Sequence, residues 1–79
     1  MQAIKVIKDK IKERDSLYVQ TWREVPLADL ISVARLKTYR ASTMLRRGYY
    51  DKLLDDLIDC AAYCIFAIER LLEEKQCNK

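Results

Sequence analysis

One proline and one glycine are the only strong helix breakers in 79 residues. Pro26 and Gly48 divide the chain into three segments, each with apolar residues at helical rather than alternating spacing. Few β-branched runs compete with that pattern, so the chain reads as all-α, one small domain over 1–79. Its layout is helix, loop, long helix, turn, long helix.

Residues 2–14 read as a first helix, with Ile4, Ile7 and Ile11 at i, i+3 and i+7 and lysines on the other faces. Asp15 and Ser16 are turn or cap formers, so 15–25 reads as a loop. Pro26 suits the first position of a second helix over 26–46, striped by Leu27, Leu30, Ile31, Ala34, Ala41 and Leu45. Gly48 suits its stop. The third helix, 50–75, spans about 39 Å at 1.5 Å per residue.

On the third helix, Leu53, Leu57, Ala61, Cys64, Ile65, Ile68 and Leu72 occupy more than a third of the circumference. That arc is wider than one neighbouring helix covers, and a chain this short builds little core alone. A homodimer or higher helical bundle is therefore expected.

The net charge is +3, and its distribution is uneven. Residues 1–50 carry eleven Lys/Arg against five Asp/Glu, and residues 51–79 carry four against seven. A basic part facing an acidic part fits either helix-to-helix pairing or a grip on a phosphate–metal complex. Without histidine, no Ser–His or Cys–His nucleophile pair is possible. A single glycine excludes a glycine-rich phosphate loop. Three cysteines without a CxxC spacing read as buried, reduced thiols of a cytoplasmic protein. The N-terminus is too charged for a signal peptide, and CAAYCIFAI is too short to span a bilayer, so no membrane partner is expected. The basic stretch 35–47 is largely committed to core, so nucleic acid is not expected either.

Three carboxylates fall within DDLID. Asp56, Asp59 and Tyr63 lie within about 60° of one another at 3.6 residues per turn. Asp56 and Asp59 repel mildly in an isolated helix, and a divalent cation would remove that repulsion. Mg²⁺ takes carboxylate oxygens and keeps waters, so two carboxylates plus substrate phosphates suffice. The alternative is a solvated acidic stripe. On the second helix, Lys37 falls within the apolar arc and Arg40 at its edge. A lysine so placed needs an anion, either Asp56 or Asp59 across the helix pair or a bound phosphate, unless its stem snorkels to water. Tyr18, Trp22 and Arg23 form an aromatic-plus-arginine loop, suited to plugging a small core or to stacking a base beside a phosphate.

The order TWRE, KTYR, a glycine break and then DDLIDCAAYCIFAI resembles the small all-α nucleotide-modification-associated domain proteins, distant relatives of the MazG-like nucleoside triphosphate pyrophosphohydrolases. The resemblance covers roughly 18–72, and its best-matched piece runs from Asp55 to Tyr63. It implies a helical oligomer that binds nucleotides near the acidic helix. Asp56-x-x-Asp59 is similar to the ExxD half of the family's metal site. The EExxE half has no counterpart, because the preceding helix offers Lys37 and Arg40, with only Asp29 near its start.

The expectation is thus a small helical homo-oligomer binding a nucleotide phosphate with Mg²⁺. Asp56 and Asp59 would hold the metal with Asp55 in support. Lys37, Arg40 and Arg23 would hold phosphate, with Trp22 and Tyr63 against the ligand. If turnover occurs, it is Mg²⁺-dependent pyrophosphate hydrolysis. The resemblance also fits a phage-like protein acting in host cytoplasm. The alternatives are a nucleotide-sequestering protein without chemistry and a plain helical interaction module in which Lys37 pairs structurally with Asp59.

Overall fold

A computed structural model describes residues 1–18 and 24–77, with side chains at 1–13 and 24–75. The described residues form three helices, α1 (Gln2–Tyr18), α2 (Leu27–Arg47) and α3 (Tyr50–Cys77). The α1 helix runs four residues past the expected end at 14. Asp15 and Ser16 are therefore helical, as each is a tolerable helix former when no breaker follows.

Pro26 stands one position outside α2 at φ −55° and ψ 141°. Its carbonyl accepts the Asp29 and Leu30 amides at 2.9 and 3.2 Å, which sets the first turn. At the other end Gly48 takes φ +75°, the left-handed conformation that glycine reaches without a Cβ penalty. The Gly48 amide donates to the Leu45 carbonyl at 3.2 Å and the Tyr49 amide to Met44 at 3.0 Å. These two bonds cap the last carbonyls of α2 and reverse the chain within two residues. Lys52 Nζ lies 5.6 Å from the centre of the Tyr49 ring and braces the turn.

The resulting α2–α3 hairpin is the main packing unit, and α1 lies more lightly against α3. Leu30, Ala62, Phe66 and Ala67 form the core, with Ile11, Val25, Leu27 and Tyr63 packed around it. Ala34 and Ala41 are also buried on α2. So many alanines let the two helix axes approach closely, since interaxial distance follows the size of the contacting side chains. Arg70 Nη1 donates to the Val25 carbonyl, tying the segment before α2 to the far end of α3.

The inward face of α3 is not its most apolar one. Asp56, Asp59, Ala62, Phe66 and Ala67 are buried, whereas Leu57, Cys64, Ile65, Ile68 and Leu72 of the expected apolar arc are exposed. Leu53 and Ala61 of that arc are half-buried. The molecule measures 47 × 24 × 23 Å with a radius of gyration of 13.8 Å. A compact 79-residue chain has a radius near about 12 Å. No described helix is long and apolar enough to cross a membrane.

Candidate functional site

The hairpin brings four of the sequence-predicted site residues together. Lys37 and Arg40, one turn apart on α2, face Asp59 and Asp56, one turn apart on α3. Lys37 Nζ lies 3.3 Å from Asp59 Oδ2. Arg40 Nε lies 3.9 Å from Asp56 Oδ2, within ion-pair range but beyond a hydrogen bond. The antiparallel run of the hairpin makes this pairing possible, since the residue later on α2 meets the residue earlier on α3.

Burial sets the chemistry of the two pairs apart. Asp56 is 4 % exposed and Asp59 9 %, so these two carboxylates do not form a solvated stripe. Asp56 Oδ2 is enclosed and accepts no hydrogen bond, although its carboxylate has left water. Such an atom is costly unless a cation or donor reaches it. The Arg40 side chain is half exposed and supplies only a distant charge. Lys37 is 20 % exposed at its side chain, with its stem among apolar neighbours and its charge on Asp59.

The other predicted residues are placed differently. Asp55 is exposed and turned toward α1, where it lines a cleft of about 230 Å³ with Asp9, Lys10 and Glu13. It does not join Asp56 and Asp59. Tyr63 is half-buried with its ring edge-on to Phe66, centroids 6.0 Å apart at 89°. Trp22 and Arg23 lie outside the described residues.

Sequence reasoning did not single out the groove beside the charged cluster. Leu30, Ile31, Ala34, Thr38, Cys64 and Ile68 are among the residues lining this apolar hollow of about 460 Å³ along α2 and α3. Thr38 Oγ1 donates to the Ala34 carbonyl at 2.8 Å and contacts Cys60 Sγ at 3.2 Å. Cys64 lies beside it. Partial burial pushes the Cys64 thiol above its ordinary 9.0, and the neighbouring Cys60 adds to the rise. The Thr38 hydroxyl lacks a sequence signature because it back-bonds within its own helix.

As a metal site the cluster supplies two carboxylates from one helix. No group of three or more Asp, Glu, Cys or His ligands converges among the described residues. Two carboxylates, one with an oxygen that accepts no hydrogen bond, are the donor number of a single Mg²⁺ site completed by other ligands, not of a cage. Two cations across the seam fit a phosphate. No family model matches the sequence, and no curated protein or solved structure is significantly similar to it.

Proposed function

We propose that the chain is a self-associating helical protein that binds a nucleotide phosphate, together with Mg²⁺, at the Lys37–Arg40–Asp56–Asp59 cluster. The observation that carries this reading is Asp56 Oδ2, a buried carboxylate oxygen that no donor satisfies. Acid–base pairs set in a protein interior seldom add stability over apolar packing. The α2–α3 hairpin nonetheless keeps two buried carboxylates, each opposite a cation. Asp56 and Asp59 would hold the cation, which would neutralise charge on the phosphate oxygens. Lys37 and Arg40 would swing from the carboxylates to the phosphate. The resemblance to the MazG-like enzymes supports the same assignment. It also implies pyrophosphate hydrolysis, for which this cluster supplies only the two carboxylates of the family's ExxD run.

A specific contact favours a second reading. Lys37 and Asp59 are already closed at 3.3 Å, the geometry of a structural ion pair that fixes the register of α2 on α3. The protein is then an interaction module without a ligand.

Thermal unfolding against nucleotides, with Mg²⁺ and with EDTA, separates the two. A ligand at 100 times its dissociation constant adds about 2.7 kcal/mol, a plain shift in Tm. The proposal expects a Mg²⁺-dependent shift that Asp59→Asn abolishes while the helical content stays. No shift with any nucleotide overturns it in favour of the ion-pair module. Product analysis on each hit distinguishes hydrolysis from sequestration.

A further inference from the structure

A run of large apolar residues on α3 faces outward. Leu54, Leu57, Ala61, Cys64, Ile68 and Leu71 follow one another at alternating spacings of three and four along α3. That is the a/d seam of a coiled coil. The four large members, Leu54, Leu57, Ile68 and Leu71, are between 48 % and 57 % exposed. The contacts of α1 and α2 leave about half of each uncovered. Two apolar grooves of about 430 and 460 Å³ open beside the seam. One lies between α1 and the Leu54–Leu57 end, and the other between α2 and the Ile68–Leu71 end.

We infer that this seam is covered by the same seam of a second copy, running antiparallel about a two-fold axis between Ala61 and Cys64. The inference rests on the self-association proposed above and assigns it a surface and a register. In that register Leu54 meets Leu71 of the partner subunit, Leu57 meets the partner's Ile68, and Ala61 meets the partner's Cys64. Every seam residue then has a seam partner. The two smallest sit at the axis, where the helices cross closest. Each apolar groove of one copy also faces the groove at the opposite end of the other.

Area supports a second copy as the occupant. The chain exposes 6257 Å², whereas a compact monomer of 9.3 kDa exposes roughly 5,000 Å². The surplus of about 1,300 Å² exceeds the roughly 800 Å² that each partner gives to a standard stable interface.

Charge chooses the direction. The turn end of the hairpin carries Arg46, Arg47 and Lys52 against Asp51. The far end of α3 carries Glu69, Glu73 and Glu74 against Arg70 and Lys75. An antiparallel pair lays the basic end beside the acidic end at both ends of the interface, and it also opposes the helix dipoles. A parallel pair would stack basic on basic and acidic on acidic.

The test uses the full-length chain freed of native thiols by Cys60→Ala, Cys64→Ala and Cys77→Ser, with Leu57→Cys in one preparation and Ile68→Cys in another. Both positions are about half exposed in the protomer, so its fold should survive, and circular dichroism checks this. With the Leu57→Cys chain uniformly labelled with ¹⁵N so that the two kinds differ in mass, mild oxidation of the mixture should join one chain of each kind, read as intact mass, while each preparation alone stays mostly uncrosslinked. Sedimentation should give twice 9.3 kDa for the native chain, and one chain mass for Ile68→Glu with helicity retained. A native monomer would overturn both the seam and the self-association. A native dimer whose preparations crosslink singly, or that Ile68→Glu leaves intact, would overturn the seam alone.

Discussion

At Lys37 and Arg40 similar residues carry different weight. Lys37 closes on an enclosed carboxylate at 3.3 Å, and Arg40 stands half exposed at 3.9 Å from its own. Lys37→Ala should therefore cost about 2 kcal/mol in urea unfolding, the scale of a contact to a buried charge. Arg40→Ala should cost less, because the Arg40 guanidinium is half exposed and stands beyond hydrogen-bond range of its carboxylate. Equal costs would show that the two pairs are alike in solution. Cys64 offers a pH readout. The thiolate is the nucleophile, and partial burial with Cys60 alongside raises this thiol above 9.0. Its alkylation by iodoacetamide should be slow at neutral pH, rise with the thiolate fraction, and reach half its limiting rate only above pH 9.0. Half-maximal reaction below that value, followed by peptide mass, would contradict the assigned surroundings.

The helices themselves were legible in the sequence, because with one proline and one glycine the chain has few ways to stop. Both breakers sit within a residue of the α2 ends. Gly48→Ala makes the point measurable. A Cβ there would meet no neighbour within 4 Å, so its cost is purely that of a left-handed backbone. We expect about 1 kcal/mol of destabilisation, read from the urea midpoint at unchanged slope. A loss several times larger would mean that the turn does more than reverse the chain. The four charged site residues were also legible, since a lysine within an apolar arc demands an anion. Which side of α3 faces the core was not. Periodicity marks the richest apolar stripe as interior, but α2 presents Lys37 and Arg40 and so draws Asp56 and Asp59 inward. The branched residues are left on the other side, and Ala62 and Ala67 fill the interior with little bulk. A choice decided by the partner helix's charge is invisible to the wheel of one helix.

For the whole molecule, the proposed pairing links folding to association. A protomer that buries outward apolar surface against a copy would gain stability by mass action, so its Tm should rise with protein concentration. Scanning calorimetry over a hundredfold dilution checks this, and a constant Tm would mean that the protomer melts alone. Time enters through the tight turn at Gly48. A two-residue connection holds α3 beside α2 as soon as the helices form, and contacts within helices are local, which places the hairpin among fast-folding helical structures. Meeting a second chain is instead a diffusional event whose rate falls with dilution. A newly made chain would then spend most of its assembly time as a finished hairpin searching for its copy. In refolding, the fast phase should ignore protein concentration and only the slow phase should follow it.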